Sequence, residues 1–258
     1  MSTQITTELI KELRDSTGVS VMQCKRALEE AEGDMTKALA ILKKTSSDIA
    51  LKKVGREVKD GAVSIKSADK KAVLVPLHCE TDFVSRNEDF TTLLEKLATM
   101  ALNEGGEKMK EGAKDLIDPI IQKTGENIQL GEVFEVSGDT IGTYVHNNKT
   151  GVIVSLEGGS TELARDIAMH ITAMKPEYIT DAEIGEEAKK MIVEIFEKEV
   201  AGIDKPEEIK KKMLEGKINT YFKEKTLMDQ VFIKGEETIS KLLEKSGAKI
   251  KEVKRYSI

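Results

Sequence analysis

The chain has 258 residues, 39% hydrophobic and 33% charged, and its 40 basic and 46 acidic side chains leave a net charge of −6. Such a composition excludes a disordered chain and allows a packed core, although aromatics make up only 4% and Trp is absent. An acidic chain with few aromatics lacks the basic face and the stacking surface that nucleic-acid binders use, so no direct nucleic-acid partner is expected.

Two cysteines, Cys24 and Cys79, make no disulfide framework and suit a reducing compartment. Met1 to Gly18 carries no apolar signal core, and no window approaches eighteen uninterrupted apolar residues. A soluble, cytoplasmic protein with no membrane partner is therefore expected.

Read in chain order, the first fifty-odd residues are helical. Ile5, Leu9, Ile10 and Leu13 fall at helical spacing up to Ser16-Thr17-Gly18. A second helix runs from Val21 to Ala31 with Ser20 as its cap and Gly33 closing it. Asp34 caps a third, whose apolar stripe is Ala38, Leu39 and Leu42. A bundle this small is more often a docking module than a catalytic one. Leu51 to Lys59 is lysine-rich and reads as a linker helix.

The period then changes to alternation. Residues 62–65 and 72–77 read as strands joined by a turn at Ala68-Asp69-Lys70. A helix follows with Phe90, Leu93, Leu94, Leu97, Met100 and Ala101 inward, then a short one from Asp118 to Gly125. Residues 133–136, 141–146 and 152–156 are expected to form a meander, turning at Gly138-Asp139 and at Asn147 to Gly151. A helix up to Met174 repeats the strands-then-helix order. Helices near 181–200 and 206–222 then pair as an antiparallel hairpin that projects from the body, with Ile184, Ala188, Met191, Ile195 and Val200 as its seam. A final helix at 236–245 and an extended segment end the chain. The expected class is α+β, divided as residues 1–54, a first core half 55–145, and a second core half 146–258 that contains the hairpin at about 181–222.

Chemistry is sparse. No Gly-x-x-x-x-Gly-Lys-Ser/Thr loop and no Gly-x-Gly-x-x-Gly occurs. Gly158-Gly159 before a helix reads as a turn and cap rather than an anion site. Cys24, Cys79, His78, His146 and His170 match no zinc spacing, and adjacent His78 and Cys79 point to opposite faces of a strand. No metal, cofactor or catalytic residue is expected, and the chain reads as a non-enzyme. The segment that stands out is Thr81-Asp82-Phe83-Val84, between a strand and a helix. Phe83 and Val84 can plug the core while Asp82 serves as a cap. Alternatively, a carboxylate beside an aromatic at such a junction forms a wedge for a partner's groove.

Thr81-Asp82-Phe83-Val84, with Cys79-Glu80 before it and Ser85-Arg86-Asn87 after it, resembles the signature of the elongation factor Ts family. Thr17-Gly18, Met22, Cys24 to Leu28 and Gly33-Asp34 are similar to that family's N-terminal module. Gly125 to Ile128, Ile167 to Ile171 with Lys175-Pro176, and Met213 to Gly216 follow in the family's order.

The resemblance implies a ubiquitin-associated-like three-helix module in front of a core of two related halves with antiparallel sheets. It implies a guanine-nucleotide exchange factor whose partner is elongation factor Tu. Arg14, Val21 and Met22 fall where the family's module touches the partner, with Val21 where Met is common. Asp82 and Phe83 fall on the pair that disturbs the partner's magnesium site, and Met169 and His170 on a contact beside it. Without the family, His170 reads as a partly exposed helix histidine. Some members continue into a further C-terminal helical module; this chain stops at Ile258, so that contact is expected to be missing. Pairing of two copies through the hairpin stays open.

Two rival readings remain. A binding module for ubiquitin-like or nascent chains explains residues 21–42 but leaves Asp82-Phe83 idle. A thiol enzyme using Cys79 with His78 or His170 requires a base that the fold must supply.

Overall fold

The computed structural model describes residues 5–258. The first four residues of the expected 1–54 module, and of the Met1–Gly18 stretch read for a leader, lie outside the described residues. Helices come first and an α+β core with antiparallel sheets follows, as expected. The described residues divide into two compact units, one of residues 5–137, 145–151 and 254–258, the other of residues 138–144 and 152–253.

The first unit opens with α1 (Thr7–Thr17), α2 (Val21–Glu30) and α3 (Met35–Leu51). Thr6, Ser20 and Asp34 each accept a backbone N–H of the first turn, and Gly18 ends α1 in the left-handed conformation. Leu13, Val19, Cys24, Leu28, Ala38 and Leu42 form the module's own core. Leu39, expected in that stripe, is exposed, because the inward face of α3 runs through Ala38 and Leu42. No helix spans the lysine-rich stretch: α3 stops at Leu51 and residues 52–55 turn.

A hairpin of β1 (Asp60–Ala68) and β2 (Lys71–Cys79) follows, closed by the two-residue turn Asp69-Lys70. Then come α4 (Asp82–Ser85), α5 (Glu88–Glu104) and α6 (Gly106–Thr124). The expected short helix at 118–125 is thus the end of a 19-residue one. Gly112 and Pro119 lower its intrinsic propensity, yet Met109, Ala113, Ile117 and Ile121 bury against the sheet and α5 and hold the helix together.

Two further strands, β3 (Ile128–Leu130) and β4 (Phe134–Ser137), both pair antiparallel with β2. Residues 133–136 therefore join this sheet and begin no meander with 141–146. Pro76 explains the break between β3 and β4. It donates no N–H, and it sits in β2 between the Leu77–Leu130 and Leu74–Phe134 pairs, where a ladder bond can be omitted.

In the second sheet β5 (Thr140–His146), β6 (Thr150–Glu157) and β7 (Lys249–Ser257) run in that order. Asn147 and Asn148, both at positive φ, make the β5–β6 turn. Within the second unit α7 (Thr161–Met174) packs Ala164, Ile167, Ala168 and Ile171 on Val152, Val154 and Leu156. The antiparallel-hairpin-then-helix order thus occurs on both sheets. Gly158 and Gly159, both at positive φ, form a turn into the Ser160 cap.

Two antiparallel helices follow, α8 (Glu186–Ala201) and α9 (Glu207–Lys225), before α10 (Ile239–Ser246). Of the seam expected on α8, Val200 is buried, whereas Met191 and Ile195 are exposed. Phe196 instead meets Tyr221 of α9 edge-on at 5.8 Å. Among the described residues no helix is long and apolar enough to cross a membrane.

Candidate functional site

Strand β2 ends at Cys79, and the chain must then leave the sheet. Thr81 is extended at φ −132° and ψ 159°, and one turn of helix, α4, starts at Asp82. Successive residues in a helix are rotated by about 100°, so neighbours in this turn face different ways. Val84 and Ser85 are buried, while Phe83 is 85% exposed, the highest value of any large apolar side chain described. Of the two local readings, the core plug fits Val84 and the wedge fits Phe83. Nor does Asp82 cap a helix. It stands in the first turn and pairs with Arg86 at 3.2 Å.

Both ends of this turn are tied to the scaffold. Gly125, left-handed at φ +78°, caps α6 and swings Glu126 back across the end of β2. The Glu126 carboxylate accepts the Glu80 N–H at 3.1 Å, the Thr81 N–H at 3.0 Å and the Thr81 hydroxyl at 2.6 Å. Glu80 in turn accepts the Asn127 N–H at 2.6 Å. Bonds to a charged acceptor are worth about 1.5–3 kcal/mol each. At the far end the Lys149 ammonium donates to Asp60 at 2.5 Å, to the Gly61 carbonyl at 2.6 Å and to the Ser85 hydroxyl at 3.4 Å. Burial alone raises the Asp60 carboxyl, but the bonds from Lys149, Ser85 and the Gly61 N–H outweigh it and hold the group below its usual range.

The neighbouring nucleophile is inert. Cys79 is fully buried, donates to the Thr81 carbonyl at 3.2 Å, and its thiol is pushed up to about 12 by burial, with the Asp60 and Glu126 charges adding to the effect. His78 points the other way, its Nε2 2.7 Å from the Tyr256 hydroxyl. Cys24 is also buried, inside the small helical module. Among the described residues no group of three or more His, Cys, Asp or Glu is placed to hold a metal.

The other residues singled out by resemblance are scattered over separate elements. Arg14 on α1 and Val21 and Met22 at the start of α2 are exposed. In the second unit Met169 is half-buried and His170 is fully enclosed. A partly exposed His170 is therefore incorrect. The imidazole faces the inner side of α7, with Phe232 at 6.0 Å between ring centres. Its Nδ1 accepts the Ile233 N–H at 3.3 Å, so the neutral ring carries its proton on Nε2 and donates to Gln230 Oε1 at 2.9 Å.

The sequence pattern of the family described as Elongation factor TS matches residues 80–258, more than half of the chain and starting at the clamped Glu80. The chain belongs to the elongation factor Ts family. Elongation factor Ts of Hahella chejuensis is 38% identical over 262 residues, covering 98% of this chain and 92% of that protein. The Thioalkalivibrio sulfidiphilus protein of the same name is also 38% identical, with 98% and 92% covered. That of Pseudomonas aeruginosa PAO1 is 34% identical, with 99% and 91% covered. In this elongation factor Ts family member, sequence reasoning missed Glu126 and Lys149 as parts of the Phe83 turn. They lie 45 and 64 residues from their partners in it, and no local spacing signals such a contact.

Proposed function

We propose that this chain is a guanine-nucleotide exchange factor for elongation factor Tu. Membership in the elongation factor Ts family supports the general role. The observation that carries the finer reading is Phe83, held outward on a turn clamped by Glu126 and Lys149. A large aromatic on a rigid mount is the kind of anchor that concentrates binding energy in a partner's pocket.

In this reading Phe83 enters the partner and Asp82, half-exposed beside Arg86, perturbs the charges around the bound phosphate. Magnesium demands near-octahedral oxygen ligands, so a small displacement of its site weakens the nucleotide's hold. Val84 seats the wedge, and Thr81 fixes where its turn begins. Arg14, Val21 and Met22 form a second contact through the N-terminal module, residues 1–54. Met169 supplies a third, with His170 fixing its helix from inside. No covalent bond is broken. Lowered nucleotide affinity and lowered factor affinity are the same coupling, so fresh GTP expels the factor.

Release of a fluorescent GDP analogue from purified elongation factor Tu tests the reading. Substoichiometric amounts of this protein should accelerate release, and the combined Asp82→Ala and Phe83→Ala protein should not. A folded protein that leaves the release rate unchanged overturns it.

A further inference from the structure

Glu126 belongs to no segment that touches a partner in the reading above, yet it governs the direction of Phe83. Thr6, Ser20, Asp34, Asn87, Ser160 and Thr238 each cap their own helix with a side-chain oxygen. Thr81, at the same position before α4, does not. Its hydroxyl goes to Glu126 Oε1, while its N–H and that of Glu80 go to Oε2. A four-residue helix without a cap has almost no stability of its own. What fixes residue 81 therefore fixes the aim of residue 83. The Lys149 bond to Ser85 at the other end is long, 3.4 Å, so the carboxylate is the tighter of the two holds.

We infer that Glu126 is a positioning residue for nucleotide exchange: through three hydrogen bonds to Glu80 and Thr81 it aims Phe83, and it touches neither partner nor nucleotide. The inference rests on the reading of Phe83 as the exchange wedge. It makes reach matter more than charge. A glutamine at 126 keeps the reach, accepting both N–H groups on Oε1 and donating from Nε2 to the Thr81 hydroxyl. An aspartate keeps the charge but is one methylene short.

The test measures the maximal rate of GDP release and the half-saturating factor concentration separately, with the full chain. Glu126→Asp should lower the maximal rate about tenfold, the factor that loss of roughly one net hydrogen bond implies. Its half-saturating concentration should stay within about twofold, because the remaining contacts are intact. Glu126→Gln should stay near the parent. In a Phe83→Ala background Glu126→Asp should add nothing, since it acts only through that ring. If Glu126→Asp does not fold, Thr81→Val, which removes one of the three bonds, carries the same prediction at smaller size. Full exchange by Phe83→Ala would instead remove the wedge reading itself. With Phe83 shown to be required, three outcomes overturn the role of Glu126: a normal Asp with a defective Gln, losses confined to half-saturation, or independent effects of Glu126 and Phe83.

Discussion

Phe83 and Val84 are consecutive residues in one helical turn, and one is 85% exposed while the other is 9% exposed. Their substitutions should separate function from folding. Phe83→Ala should change stability by less than about 0.5 kcal/mol, as surface replacements do, and abolish most of the exchange. Val84→Ala removes two buried carbons and should cost about 2 kcal/mol, with exchange falling only as far as the folded fraction does. Denaturant melts beside GDP-release rates decide it. A Phe83→Ala protein as unstable as Val84→Ala would return the ring to the core.

The N-terminal module offers a parallel test. Met22 is 60% exposed at the start of α2, so Met22→Ala should leave stability within about 0.5 kcal/mol. Partner affinity should drop about tenfold if Met22 is a buried anchor in the complex. Titration calorimetry with nucleotide-free elongation factor Tu measures both the affinity and the stoichiometry. Unchanged affinity would take α2 out of the contact surface.

Most of the fold was legible where local chemistry acts alone. Caps at Ser20 and Asp34, the short apolar runs and turn of the β1–β2 hairpin, and the glycine turn before Ser160 are short-range signals, although both strands bury continuous runs rather than alternate residues. The errors lie where packing overrides them. Only the last turns of α6, from Asp118, were expected to be helical, whereas the buried Met109–Ala113–Ile117–Ile121 face carries the helix back to Gly106. Residues 133–136 read as the start of a meander because neighbours in sequence usually pair, whereas β2 was already offering its edge past Pro76. At the site, local chemistry left Phe83 between a core plug and a wedge, and only the family resemblance set it toward a partner; its 85% exposure agrees with the second. Glu126 was not legible, because a glutamate after a helix-capping glycine has no local sign of the turn it holds.

Cys79 should resist modification in the folded protein. With a thiol pushed up to about 12 and no exposed surface, almost none of it is thiolate near neutral pH. Alkylation at about pH 8 should therefore follow global unfolding, slowing by orders of magnitude relative to the denatured chain. Rapid labelling of Cys79 under native conditions, with exchange activity lost in step, would revive the thiol as a functional group.

Two glycines in the second unit should respond with opposite sign. A Cβ on Gly142 in β5 would fall 2.1 Å from the backbone of Ala164 and Arg165 in α7. Backbone cannot give way as a side chain does, so Gly142→Ala should cost about 3 kcal/mol or more. Gly216 lies inside α9, and a methyl group there would meet nothing within 4 Å. Gly216→Ala should stabilise by about 0.5–1 kcal/mol through helix propensity. Equal effects at the two positions in thermal melts would mean that α7 does not press on β5 as described.

His170 makes stability depend on pH. Burial lowers its pKa below the usual 6.5, opposed by the bond to Gln230. Protonation would add a hydrogen to Nδ1, which faces the Ile233 N–H, so two donors would oppose each other. Because the folded pKa lies below the unfolded one, the unfolded chain binds more protons between them, and stability rises with pH there. The contribution is complete above 6.5 and is lost as pH falls toward the lowered folded value. One such group gives at most about 1.4 kcal/mol per pH unit. His78, also lowered by burial, adds a term of the same sign. Unfolding free energies from about pH 5.5 to about pH 7.5 should therefore rise in the parent. The slope should flatten in His170→Gln, which has no titrating ring, and flatten further when His78→Gln is added. An unchanged slope in His170→Gln would mean that the Ile233–His170–Gln230 chain tolerates the charged ring.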